Sequence, residues 1–434
     1  LTTAIIITLC SLLLISYVFA LTSSKTKIPS VLLLLVLGWA IKRGILFLGI
    51  DVPSLDPVLP VLATIGLVLI VLEGSLELKL DRSKIGLVTK SFFGALFPII
   101  ILSFALAYAF HYFGGYDLRL CLINAIPFSI ISSAIAIPSA VNLNKQDKEF
   151  VIYESSLSDI LGVLIFNFVA FNEVYDQHTF GNFGLQILLI LAVSIVATIG
   201  LAMLLARINH HVKFVPIILI VVLLYTILKI YHLPGLIFIL LFGLFIGHLD
   251  KLKRFGVIEK LVSYNPEKEV EMFTVLTIEG TFLIRSLFFL VFGYLLETSE
   301  IFDTTTAVWA LLMVGLFILV RAIQLALSRL PITPLLFVAP RGLITILLFL
   351  YIAPAQSIGI VNKSLIIQVI VLTVLIMTFG MMFSGSNKKE EYEELIEDDA
   401  LSENLSGNNI DRDLGRKQTE GDARPGMDAP STEE

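Results

Sequence analysis

Charge is scarce in this chain. Only 15% of its 434 residues are Asp, Glu, Lys or Arg, and 57% are hydrophobic. Soluble domains carry about 25% charged residues, so the deficit excludes an ordinary soluble fold, and a mean hydropathy of +0.92 points to a polytopic membrane protein. Cysteine is nearly absent. Cys10 and Cys121 both lie in apolar runs, which excludes a disulfide framework and a cysteine-rich metal centre. The six histidines are scattered, and the one adjacent pair, His210-His211, sits with Arg207 and Lys213 in a short basic segment read as a membrane-face loop. A Gly-rich nucleotide fingerprint is also missing. No cofactor, nucleic-acid partner or enzymatic chemistry is expected.

What charge there is falls unevenly. Residues 387–434 hold 15 acids against 6 bases, or −9 of the total −6, which leaves residues 1–386 at +3. The segment Glu390-Glu391-Tyr392-Glu393-Glu394 and the later Pro425-Gly426 belong to a stretch of low hydrophobicity and high net charge, the composition of a disordered tail. Two units are therefore expected: a transmembrane domain over 1–386 and an acidic tail over 387–434.

A bilayer core needs about 20 apolar residues per helix. Apolar runs near 2–21, 28–49, 57–76, 85–111, 119–141, 150–171, 184–206, 213–230, 232–249, 271–296, 305–328, 332–352 and 364–384 predict thirteen spans. The first run lacks a basic leading segment and is read as a helix rather than a cleaved signal. Basic residues alternate between the loops. One set holds Lys25, Lys27, Lys79, Arg82, Lys84, Lys145 and Lys148, then Arg207, Lys213, the 250–270 linker and Arg329; the opposite set holds Lys229 alone. The positive-inside rule then places the N-terminus outside and the tail in the cytoplasm.

Two spans are interrupted. The fifth contains Ser132-Ser133-Ala134 and ends at Pro138-Ser139; the twelfth contains Pro340-Arg341-Gly342. Proline cannot donate its backbone hydrogen bond, so both spans are expected to break there. With six helices on each side of an odd seventh, the two breaks occupy equivalent places. An all-α architecture of inverted six-helix repeats with two crossed discontinuous helices is the expectation.

Carboxylates inside such spans are costly and mark functional sites. At 1.5 Å per residue, Asp159 lies roughly 13 Å into the sixth helix and Arg341 a similar depth into the twelfth; Glu154 and Arg321 lie roughly 6 and 10 Å from the same face. Glu154 and Asp159 are about 140° apart around their helix and need not share a partner. Glu154 matches Arg321 in depth as a structural salt bridge. Asp159 is then less neutralised, unless it pairs with Arg341. Burial disfavours a charged carboxylate, so a proton and a cation can compete for one. Ser156, Ser158, Ser132 and Ser133 offer neutral oxygens, which suit a hard monovalent cation. Arg341 either balances charge at the crossing, repels a competing cation or caps freed carbonyls. Arg285 has Glu279 or Glu73 as its candidate partner, while Glu73 and Glu77 either face a cytoplasmic funnel or approach the membrane surface.

These residues carry a family resemblance. Leu72-Glu73-Gly74-Ser75-Leu76-Glu77-Leu78, Glu154-Ser155-Ser156-Leu157-Ser158-Asp159, Val320-Arg321-Ala322 and Pro340-Arg341-Gly342, within residues 2–384, make the chain similar to the monovalent cation:proton antiporter superfamily. The resemblance implies about thirteen helices, a mobile core domain, a dimerisation domain and a homodimer in the lipid bilayer. It implies exchange of Na+, or Li+ or K+, for H+ by an elevator-like movement. By it, Asp159 is the ion- and proton-carrying aspartate, Glu154 and Arg321 are the salt bridge of the electroneutral branch, and Arg341 is the arginine of its Arg-Gly segment. Two departures stand out. Ser158-Asp159 replaces the Asn-Asp of that branch and the Asp-Asp of the electrogenic one, and Ala136-Ile137-Pro138 replaces Thr-Asp-Pro. The lack of a second acid favours electroneutral exchange. The serine-rich crossover resembles the potassium-efflux branch, so K+/H+ efflux is one alternative and a sodium-coupled solute symporter is another.

Overall fold

The computed structural model describes residues 2–26, 28–49, 54–77, 84–172, 177–207, 214–231, 233, 235–248 and 266–384. The expected acidic tail, His210-His211 and most of the 250–270 linker lie outside them. Among the described residues the chain is helical and holds no strand. Helices follow the apolar runs: α1 Thr2–Thr26, α2 Ser30–Phe47, α3 Val58–Glu77, α4 Ile85–Gly114, α5 Leu118–Ser129, α6 Ser133–Ser139, α7 Lys145–Phe171 and α8 Gln177–Arg207. After them come α9 Phe214–Ile230, α10 Gly235–Gly247, α11 Pro266–Leu295, the short α12 Thr298–Ile301, α13 Thr304–Leu327, α14 Leu343–Tyr351 and α15 Lys363–Ser384. Among the described residues nine spans are long and apolar enough to cross a membrane, one of them the broken α5–α6 pair. Large side chains such as Phe97, Ile101, Leu188, Val196, Leu312 and Leu319 stand exposed on these helices. Apolar surface of that extent is at home in lipid, not in water. The protein is an all-α polytopic membrane protein.

Two packing groups organise the helices. In one, α11 packs on α2 and α3, α3 on α10, and α10 on α8 and α9. In the other, α4, α5 and α7 pack on one another, with α6 on α7 and α13 on α4. The short α14 touches α3, α5 and α7 and so joins the groups. Small residues set the closest approaches. A methyl group at Gly38 of α2 would stand 2.3 Å from the Leu290 carbonyl oxygen, and one at Gly293 of α11 would stand 2.4 Å from that of Leu35. Backbones in contact maximise dispersion where lipid supplies no hydrophobic drive between helices. Gly293→Val is therefore expected to pry α2 from α11 and lower the melting temperature in detergent markedly, whereas Gly44→Val, in open space, is expected to leave it almost unchanged; equal melting of the two variants would count against this contact.

The structure corrects three expectations. The fifth span breaks at residues 130–132, not at Pro138, which lies inside α6. In so short a helix Pro138 forfeits one intrahelical bond, while the break is set by the crossing described below. The twelfth span is helical only in its second half, because residues 331–342 run as turns and extended chain before α14. Finally, Lys229 is not alone at its end of the helices. Lys42 pairs with Glu297, Arg43 donates to Thr298, Lys363 pairs with Glu300, and Arg119 donates to the Ala170 and Asn172 carbonyls. Lys42, Arg43 and Arg119 stand inside apolar runs in the sequence and Lys363 just before one, yet their side chains reach polar groups at the helix ends. The Lys42 hydrogen bond holds Glu297 below the usual carboxylate range, so this tie is present at neutral pH and is lost as pH falls through that lowered value.

Candidate functional site

Two interrupted segments meet inside the second packing group. Ile130 and Ser132 take extended backbone between α5 and α6, and Pro340-Arg341-Gly342 leads into α14. The Ser132 amide donates to the Pro340 carbonyl at 2.9 Å, one backbone bond linking the two breaks. A methyl group on Gly342 would stand 2.6 Å from Ile135 Cδ1 and 2.8 Å from Ser132 Oγ. Glycine is needed at 342 for this close approach rather than for its extended φ.

Broken helices free backbone groups that must find partners at membrane depth. Arg341 Nε donates to the Phe128 carbonyl at the end of α5, and its Nη1 donates to Ala339 O at 2.8 Å. Thr345 Oγ1 donates to Pro127 O at 3.0 Å. The guanidinium also lies 4.4 Å from the centre of the Phe317 ring, a cation–π contact. Of the three roles open to Arg341, capping freed carbonyls is the one its hydrogen bonds describe, one carbonyl at the end of α5 and one in its own interrupted segment. Its positive charge sits where that helix C-terminus is negative.

Asp159 of α7 is buried and faces the start of α6, where the Ser133 hydroxyl donates to its Oδ2. Among the described residues Asp159 Oδ1 and Ser132 Oγ, both buried, have no hydrogen-bond partner. A buried polar atom without a partner costs about 1–3 kcal/mol, and more if charged. Asp159 makes no salt bridge among the described residues, with Arg341 or any other cation. Ser158 acts differently from Ser133: its Oγ accepts from the Ile131 amide at 2.9 Å and so satisfies a donor in the break. Ser156 Oγ lies 3.1 Å from where a Gly74 methyl would stand on α3.

Five residues along α7, Glu154 is buried against Arg321 of α13, whose Nη1 donates to Glu154 Oε1. Gln324 completes the cluster, accepting from Arg321 Nη1 at 2.9 Å and donating to Glu154 Oε1 at 3.1 Å. Arg321 Nε donates to Leu335 O at 3.3 Å. Gly94 of α4 leaves room for all this, because a methyl group there would stand 2.7 Å from Gln324 Nε2 and 3.1 Å from Glu154 Oε1. Sequence reasoning missed Gln324 and Gly94. The spacing Arg321 to Gln324 is i, i+3, a helical neighbour pair, and was the available signal.

The Leu72–Glu77 segment divides between neighbours. Gly74 admits Ser156, and Ser75 packs so tightly on α10 that a methyl at Gly243 would fall 1.8 Å from its Oγ. Arg285 of α11 interacts electrostatically with Glu73 of α3; the Glu77 side chain lies outside the described residues. No group of three or more His, Cys, Asp or Glu side chains comes together among the described residues.

Residues 10–385 match the sodium/hydrogen exchanger transmembrane family. The chain belongs to this family. It is a secondary active cation/proton antiporter. The antiporter is similar in fold to the sodium proton antiporter MjNhaP1 from Methanocaldococcus jannaschii, whose structure at pH 8 superposes with a TM-score of 0.61 at 18% identity, over 88% of this chain and 96% of that one. The electron-microscopy map structure of the same protein gives a TM-score of 0.61 at 18% identity, over 88% and 94%. No curated protein matches the antiporter significantly by sequence alone.

Proposed function

We propose that Asp159 carries both transported ions, one at a time, with Ser133 and Ser132 completing an oxygen site for a dehydrated monovalent cation. The observation that carries this reading is the pair of buried oxygens without partners, Asp159 Oδ1 and Ser132 Oγ, at the crossing of two broken helices. A proton on Asp159, or a cation against it, relieves the same uncompensated charge, so each displaces the other. Ser158 fixes the break from behind, and Ser156 belongs to the contact with α3. Glu154 and Arg321, locked by Gln324, serve as scaffold; Arg341, with Pro340, holds the crossing together, and Pro138 is peripheral to it.

One carboxylate takes one proton or one monovalent cation. The loaded site is neutral in either case, so exchange is one-for-one and electroneutral. Na+ is the preferred substrate in this reading, with Li+ and K+ as competitors. Thirteen membrane crossings in inverted six-helix repeats fit the order of the helices. The two packing groups fit a mobile core that moves against a dimerisation scaffold in a homodimer, with residues 1–386 as the transmembrane domain. The loop asymmetry still favours an external N-terminus and a cytoplasmic tail over 387–434, because the loop Lys and Arg residues remain concentrated on the tail's side.

Inverted vesicles containing the antiporter test this. Adding Na+, Li+ and K+ separately is expected to release accumulated protons, with Na+ acting at the lowest concentration, and an imposed membrane potential is expected to leave the rate nearly unchanged. A strong voltage response would defeat the electroneutral stoichiometry. Cation uptake that needs an organic solute and moves no protons would favour a symporter, and a response to K+ alone would favour potassium efflux.

A further inference from the structure

A groove of about 840 Å³ runs between α4 and α13 on the outside of the second packing group. Its polarity changes along its length. One end is lined by Thr89, Lys90, Ser328 and Arg329, and the other by Phe97, Ile101, Val320 and Ile323. From Lys90 to Ile101 the groove follows α4 for roughly 16 Å at 1.5 Å per residue. Phe93, Phe97, Ile101, Ile323 and Leu327 are all exposed along it. Lys90 and Arg329 are exposed as well, and neither has a carboxylate partner among the described residues. This contrasts with Lys42, Arg119 and Lys363 at the other end of the helices, whose hydrogen bonds are taken up locally.

Arg329 is conspicuous for a second reason. The Leu330 amide bonds to Leu325 O at 3.0 Å and the Arg329 amide to Ala326 O at 3.2 Å, the Schellman pattern that ends α13. Arg329 takes the left-handed position of that motif with φ 52°, where glycine is the residue without a steric penalty. Helix termination alone does not call for an arginine there. The groove floor has its own polar group: Gln324 lines it and, on its inner side, donates to Glu154.

We propose that this groove binds an anionic phospholipid, with the phosphate between Lys90 and Arg329 and an acyl chain lying along the aromatic and aliphatic wall. Basic residues at the membrane surface attract anionic headgroups, and the apolar length below them matches an amphiphile whose charged end stays at the interface. The occupant packs against Gln324 and so buttresses the Glu154–Arg321 pair from outside.

Binding to the purified full-length antiporter in detergent, read by native mass spectrometry, tests this with phosphatidylglycerol against phosphatidylcholine. Two basic side chains at an anionic headgroup correspond to about a 30-fold preference for phosphatidylglycerol. Lys90→Gln/Arg329→Gln is expected to bring that preference close to unity and to abolish the rise in melting temperature that phosphatidylglycerol gives the wild type. Arg329→Gly relieves the backbone, so it is expected to melt no lower than wild type in lipid-free detergent while still losing most of the preference. An unchanged preference in the double variant overturns the proposal. So does a result in which the wild type shows no phosphatidylglycerol preference and a synthetic peptide of residues 387–434 binds through Lys90 and Arg329 instead. Neither readout involves transport, so this proposal and the exchange reading can fail independently.

Discussion

Arg321→Ala is expected to destabilise the antiporter by about 3–5 kcal/mol, the cost of leaving one partner of a buried ion pair uncompensated. Glu154 is 1% exposed, and its Oε1 accepts from both Arg321 and Gln324. Without the arginine, a carboxylate remains against Phe150 and Gly94 with only the Gln324 amide to meet it. Thermal melting in detergent, read by loss of the monodisperse peak, measures the effect. Glu154→Gln/Arg321→Met is expected to be milder than Arg321→Ala, because no charge is stranded and the volume is largely kept. If the single variant melts like wild type, the pair is not the scaffold assigned to it.

Asp159→Asn is expected to have two opposite effects. Exchange should vanish at every pH, since an amide neither takes up a proton in this range nor offers a negative charge to a cation. Stability should rise, by about 1–3 kcal/mol, because the substitution removes a buried charge that lacks a full set of partners. Natural sites often trade stability for function in this way. A structural ion pair between Asp159 and Arg341 would give the reverse sign, with the asparagine variant melting lower. Vesicle exchange and melting, measured on the same preparations, separate these outcomes.

The placement of the helices was legible because lipid demands long apolar runs, and most runs in this chain are bounded by charged or small polar residues. The Glu154–Arg321 pair was also legible, since two unlike charges at matching depth on different helices have strong reason to meet. The position of the breaks was not legible in the same way. Proline marks a helix that can bend, but the backbone bond from Ser132 to Pro340 and the space beside Gly342 fix where the chain opens. Those are tertiary facts. The division of labour among the serines was hidden for the same reason: Ser133 meets Asp159, Ser158 meets a backbone amide and Ser156 meets Gly74, although all stand on similar apolar segments. Lys42 and Arg119 were assigned to spans because a long side chain can leave an apolar helix for a nearby acceptor, which hydropathy does not register.

The most direct test of competition at Asp159 uses purified protein without a membrane. Adding Na+ to the antiporter in weakly buffered detergent solution near its working pH, with a pH indicator or calorimetric readout, should release protons in proportion to the cation bound, approaching one proton per cation where Asp159 starts protonated. Asp159→Asn should release none, while Ser133→Ala should release protons with a weaker apparent Na+ affinity. Cation binding without proton release in the wild type, or equal release from Asp159→Asn, would contradict the account.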